Sequence, residues 1–220
     1  MADNTIRIVG LQVGKVEPLG PDGVPSGIVK RPTADRVRVG TTGIEGDGVA
    51  DLRVHGGPEK AVYAYPGEHY PRWAEEFPEH AGKWVAGGVG ENLTTKGFDE
   101  TDVRIGDVFR SATGLALQVA QPRQPCFKFA LKFEDESLPQ AMLMNGRCGW
   151  YFRVLSEGTV AAGDALALEE RGPENWTVAR FQRLTTIAKK ELTPELLREI
   201  AKTPSVALNW RRWAEERLAR

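Results

Sequence analysis

Short runs of branched and aromatic residues, broken every few positions by Gly, Pro or Asp, fill the first three quarters of the chain. Ile6–Val9, Leu11–Val16, Val37–Val39, Ala61–Tyr65, Val103–Ile105, Leu115–Ala120 and Tyr151–Leu155 each read as a strand on that pattern. Ile105-Gly-Asp-Val-Phe109 and Ala162-Gly-Asp-Ala-Leu166 share a Gly-Asp turn leading into an apolar strand. One helix interrupts the strands: Tyr70, Trp73 and Phe77 recur at i, i+3 and i+7, with Glu75 and Glu76 opposite. Aromatic residues at that spacing predict a core-facing stripe. Beyond Gly172 the period changes from two to about 3.6. Val178, Phe181, Leu184 and Ile187 mark a first tail helix, Thr193-Pro194-Glu195 opens a second, and Thr203-Pro204-Ser205 opens a third that would bury Val206, Trp210 and Trp213.

Composition sharpens this division. Glycine and proline, 24 and 14 of 220 residues, are in excess, as many turns between short strands require. No glycine lies beyond Gly172, and the segment 173–220 carries ten Lys/Arg against six Asp/Glu, although the chain as a whole has net charge −1. A glycine-rich acidic body, 1–172, followed by a basic three-helix tail, 173–220, is the expected domain organisation, in a mainly β (α+β) class. The balanced charge excludes a broadly basic nucleic-acid coat. Two cysteines exclude a disulfide scaffold, a Cys₄ zinc site and a self-contained iron–sulfur cluster. No apolar run approaches the ~18 residues of a membrane span, and the first ten residues hold no apolar signal core. The expectation is a soluble, cytoplasmic protein with no nucleic-acid or membrane partner.

Three segments carry candidate chemistry. In Gln121-Pro-Arg-Gln-Pro-Cys-Phe-Lys128, two prolines stiffen the approach to Cys126. Arg123 and Lys128 favour its thiolate, the form that acts as nucleophile or soft-metal ligand. Cys148, which leads into an apolar strand, reads as a packing residue. The stretch from Gly46 to Tyr63 places Asp47, Asp51, Arg53, His55 and Lys60 among glycines, whose bare backbone lets amides converge on an anion. Gly87-Gly-Val-Gly-Glu-Asn92-Leu93 lacks the spacing of a phosphate loop but offers Asn92 and free amides to a polar ligand. No Rossmann fingerprint, Walker loop, nucleophile elbow or zincin motif is present.

Taken together, these segments resemble the MOSC domain, named for the C-terminal part of molybdenum cofactor sulfurases, and within it the YiiM-like group associated with resistance to 6-N-hydroxylaminopurine. Ser26-Gly-Ile-Val-Lys30-Arg-Pro32, Gly43-Ile-Glu-Gly-Asp47, Ala50-Asp-Leu-Arg-Val-His55-Gly-Gly57, Lys60-Ala-Val-Tyr63, Gly90-Glu-Asn-Leu93, Pro122-Arg-Gln-Pro-Cys-Phe-Lys128 and Gly149-Trp-Tyr-Phe-Arg-Val154 carry the resemblance. Val49 departs from it, standing where the family pattern has Gln. The resemblance implies a β-barrel-like fold that binds the molybdenum cofactor (molybdopterin), with Cys126 as metal ligand or sulfur carrier. The expected catalytic residues are Cys126, His55 and Lys60; the expected cofactor contacts are Lys30, Asp47, His55, Lys60, Asn92, Arg123 and Lys128. It further implies removal of oxygen from a small N-hydroxylated compound such as a purine base. Electrons would come from an external flavin-type reductase, since no flavin, NAD or cluster motif is present. A sulfur carrier with a Cys126 persulfide, or a non-catalytic cofactor-binding module, remain the alternatives.

Overall fold

The computed structural model describes residues 4–52 and 55–220; Arg53 and Val54 of the glycine-rich motif lie outside them. Among the described residues thirteen strands form: β1 (Thr5–Val13), β2 (Glu17–Leu19), β3 (Val24–Ser26), β4 (Arg31–Pro32), β5 (Val37–Gly40), β6 (Gly43–Ile44), β7 (Val62–Pro66), β8 (Leu93–Lys96), β9 (Val108–Ser111), β10 (Ala116–Pro122), β11 (Trp150–Ser156), β12 (Gly158–Val160) and β13 (Ala165–Glu170). Helices α1 (His69–Glu76), α2 (Phe127–Phe133), α3 (Leu138–Asn145), α4 (Val178–Thr186), α5 (Pro194–Lys202) and α6 (Leu208–Leu218) complete the chain.

Seven strands close on themselves in the order β1-β13-β9-β10-β11-β7-β8-β1, and β4 extends the far half of β1. The class is therefore α+β, built on a closed seven-stranded barrel. Every pairing in the barrel is antiparallel except β7 with β8, where Ala64 faces Leu93. A parallel pair cannot be joined by a tight turn, so the chain crosses over through α1. Trp73 of α1 is fully buried and stacks on Trp84, which stacks in turn on Phe133 of α2. Each fully buried large apolar side chain contributes roughly 1.5–3 kcal/mol of transfer free energy.

Ile6–Val9 and Leu11–Val16 are one strand, not two. The register shifts between Ile8 and Gly10, and the strand stops at Val13. A Cβ on Gly10 at that irregularity would lie 2.4 Å from Gln12 Nε2, so a side chain there would displace the Gln12 amide. Val103–Ile105 is not a ladder strand; Arg104 makes a single bridge to Thr177, while Val103 and Ile105 are buried all the same. The third tail helix begins at Leu208. Thr203, expected as its cap, closes α5 instead, and its hydroxyl bonds the Glu199 carbonyl. The first amide of α6 is capped from the barrel side, where Leu208 N–H donates to Glu59 Oε2 at 2.7 Å. The apolar cluster runs unbroken from Ile8, Phe109 and Trp150 into Trp176, Phe181 and Val206. No helix among the described residues is long and apolar enough to cross a membrane.

Candidate functional site

A cleft of ≈ 520 Å³ opens between the turn after β3, the β5–β6 hairpin, the glycine-rich loop, the start of β7, the stretch before β8, the run from β10 into α2, and β11. Lys30, Asp47, His55, Lys60, Asn92, Arg123, Cys126 and Lys128 all line it. Residues up to about 100 positions apart in sequence thus meet at one place. The close approach is a backbone matter. A Cβ on Gly27 would lie 2.0 Å from the Gly48 carbonyl oxygen, so the two loops can touch only without it.

These eight residues divide by what they bond. Asp47 is the centre of a closed knot. Its Oδ1 pairs with Lys30 Nζ and accepts Gly14 N–H at 2.8 Å; its Oδ2 accepts Asn92 Nδ2 at 2.9 Å. Asn92 Oδ1 in turn accepts the amide of Tyr63 at 3.1 Å. Lys30 and Asp47 side chains are only 7% and 11% exposed, and burial depresses the Lys30 pKa even against the pull of Asp47. The polar atoms of these three residues are thus largely committed to one another.

The opposite wall is different. Pro122 ends β10, Arg123 N–H is held by the Gly149 carbonyl at 3.2 Å, and Cys126 takes the extended N-cap conformation that opens α2. Cys126 therefore sits at a helix start, at the end of the rigid approach that Pro122 and Pro125 stiffen. Burial pushes its thiol up. The His55 side chain, the Arg123 charge and the Lys128 amide outweigh that, bringing it to about 7. Cys148 is fully buried, bonds the Gly149 carbonyl, and burial drives its thiol well above the ordinary range.

Arg123 is 4% exposed. Its guanidinium lies 5.3 Å from the Tyr63 ring and 5.2 Å from the Phe129 ring, and Nη1 reaches Met142 Sδ at 3.0 Å. No carboxylate among the described residues pairs with it. Two aromatic faces offset only part of the cost of burying a charge. An anion in the adjoining cleft would supply the rest. Lys60, whose pKa burial lowers, and Lys128, which donates to the Pro25 carbonyl at 2.8 Å, border the same space.

Sequence reasoning did not single out Tyr63, Tyr151 or Gln124, which also line the cleft. Tyr63 and Tyr151 lie on paired strands with rings 5.2 Å apart, and burial raises both hydroxyls. In a sequence they look like any strand aromatics; only the β7–β11 register brings them together.

A thiol near its midpoint beside an arginine that no carboxylate among the described residues pairs sets a soft-metal ligand next to an anion-binding group. Relatives share the frame that builds it. Residues 51–167 match the MOSC domain. The chain is 42% identical to the protein YiiM of Escherichia coli over 74% of this chain and 72% of that one. It is 35% identical to a protein named Reductase from Gibberella moniliformis, over 84% of this chain and 32% of that one. The crystal structure of YiiM from Geobacillus stearothermophilus matches with a TM-score of 0.81 at 35% identity, covering 97% of this chain and 99% of that one. With the matched segment spanning more than half of the sequence and the whole barrel shared with a solved relative, the chain belongs to the MOSC domain family.

Proposed function

We propose that the protein is a reductase that uses the molybdenum cofactor to remove oxygen from N-hydroxylated compounds, N-hydroxylated purine bases among them. The observation that carries this reading is the corner where a thiolate titrating at about 7 adjoins a buried arginine with no carboxylate partner. The residues present fit the group: Cys126 as the metal ligand, Arg123, Lys60 and Lys128 for the anionic pterin phosphate. Lys30, Asp47 and Asn92 support that wall by holding the loops in place. When bound, the cofactor supplies two-electron oxygen-atom transfer.

The net change is R–NHOH + 2 e⁻ + 2 H⁺ → R–NH₂ + H₂O. His55, hydrogen-bonded to Cys126, is the group placed to hand a proton to the departing oxygen. The electrons come from a separate flavin-type reductase.

The test is elemental analysis and turnover on protein made in a host that synthesises the cofactor. Near-stoichiometric molybdenum and turnover with an artificial electron donor are expected. Cys126→Ser should lose turnover and most of the metal with the fold intact, because a hydroxyl is a poor soft-metal ligand. Full metal without turnover leaves a binding module. Metal-free protein carrying a Cys126 persulfide replaces the reading with a sulfur carrier.

A further inference from the structure

Three consecutive residues at the start of α6 bond the barrel behind the cationic side of the cleft. Ala207 N–H donates to the Ala120 carbonyl at 3.1 Å, Leu208 N–H to Glu59 Oε2 at 2.7 Å, and Asn209 Nδ2 to Gln121 Oε1 at 3.4 Å. Glu59 and Gln121 are themselves joined, because Gln121 Nε2 donates to the Glu59 carbonyl at 3.1 Å. The other carboxylate oxygen of Glu59 accepts Arg153 Nη2 of β11 at 2.8 Å. Ala207, which opens α6, has no polar side chain to cap it, so the helix takes its cap from the barrel. A carboxylate in that place is held by the amide and by the helix dipole alike.

Glu59 and Gln121 each stand next to a cation of the cleft. Glu59 immediately precedes Lys60 in the single 3₁₀ turn Pro58–Lys60, and Gln121 lies two residues before Arg123, near the end of β10. Lys60 and Arg123 both line the cleft. One turn of helix is too short to fix its own position. This one is gripped from two sides: the Ala61 amide donates to the Phe152 carbonyl at 3.1 Å, and the Glu59 carboxylate is clamped between α6 and Arg153.

We infer that the start of α6 is the back plate of the anion-binding corner: through Glu59 and Gln121 it sets the spacing between Lys60 and Arg123, and Glu59 is a positioning residue that itself touches no ligand. This rests on the reading that the cleft takes an anionic cofactor. Two cations hold one phosphate group together only where their separation matches its oxygens. Lys60 stands on a short turn and Arg123 just beyond the end of a strand, so that separation needs an element bonded to the neighbours of both. The first turn of α6 is such an element. The helical tail is thereby a working part of the site, although every described residue that lines the cleft lies before Gly172.

Leu208→Pro removes the N–H that Glu59 Oε2 accepts and changes no charge. Proline suits the first position of a helix, and Ala207 already has the extended backbone, φ −56° and ψ 142°, that a following proline favours. Two measurements on the full chain test the inference: the Kd for inorganic phosphate, and deuterium exchange of the Lys60 and Ala61 amides. Phosphate should bind roughly three- to tenfold more weakly in the variant, a fraction of one charge-assisted hydrogen bond, and both amides should exchange faster. Thr193→Ala, which deletes the side-chain cap of α5 elsewhere in the tail, should match the wild type in both. An unchanged Kd in folded Leu208→Pro overturns the inference, as does an equal shift in Thr193→Ala. If Leu208→Pro does not fold, Gln121→Met takes its place, losing the bonds to Glu59 and Asn209 without a change of charge, and an unchanged Kd there overturns it too. If phosphate does not bind the wild type, the anionic-cofactor reading fails by itself; the exchange rates then decide whether α6 holds the Lys60 turn, and unchanged rates overturn that as well.

Discussion

The two walls of the cleft solve opposite problems. On the Asp47 wall, a buried charge of each sign and an amide satisfy one another, with Lys30, Asn92 and the Gly14 N–H in direct contact with the carboxylate. On the Cys126 wall, a guanidinium is buried against rings with no carboxylate, and a thiol is held near its midpoint at neutral pH. A balanced wall is a scaffold, since every group already has its partner. An unbalanced wall is one whose electrostatics are completed by something that arrives. The lesson is that lining a cleft and being available to a ligand are different properties, and hydrogen-bond accounting separates them.

The largest expected effect comes from unbalancing the scaffold. Asp47→Ala leaves Lys30 buried without its counter-ion and should destabilise the fold by about 3–5 kcal/mol in urea or thermal unfolding. An equal loss from Arg123→Met would erase the distinction between the walls. Arg123→Met is expected to change stability by less than about 1 kcal/mol, because it removes a charge whose burial no carboxylate offsets, while raising the alkylation midpoint of Cys126.

The next effect concerns the two cysteines. Native Cys126 titrates at about 7 against an ordinary 9.0, so between those values the folded chain has released a proton that the unfolded chain still holds. Its contribution to stability is therefore complete above the unfolded value and is lost as pH falls through about 7. Iodoacetamide labelling should rise through pH about 7 at Cys126, shift upward in His55→Ala, and leave Cys148 unlabelled until the protein unfolds. Labelling of Cys148 in the native state would contradict its burial. The smallest effect is at the rim. Lys128→Met removes a bond to the Pro25 carbonyl at a partly exposed position and should cost no more than about 1 kcal/mol.

Much of this was legible in the chain before any coordinates. Proline-fixed Cys126 between two cations, and His55 and Lys60 among glycines, are local signals that do not depend on what lies across the fold. The Gly-Asp turns before β9 and β13 were equally plain, because such turns are set by two or three residues. Helices α2 and α3 were not. Phe127–Phe133 and Leu138–Asn145 are each about two turns long and lack side-chain N-caps, so their periodicity is too brief to read and packing against Trp84 and Gln182 settles them. Thr203-Pro204 misled for a related reason: the pattern fits a helix start, but the amide of Ala207 is taken by the Ala120 carbonyl, and the helix begins after it.

The sequence by itself determined which residue types surround the site, the strand-rich body, the helical tail and the family, because composition, turn chemistry and motif spacing are local properties. Tertiary structure alone decided how the charges are shared. That Asp47 spends itself on Lys30 and Asn92, and that Arg123 finds two rings and no carboxylate, both follow from the closure of β1 on β13 and the parallel step from β7 to β8. A charge's partner is fixed by distance and burial, and neither is a property of the chain until it has folded.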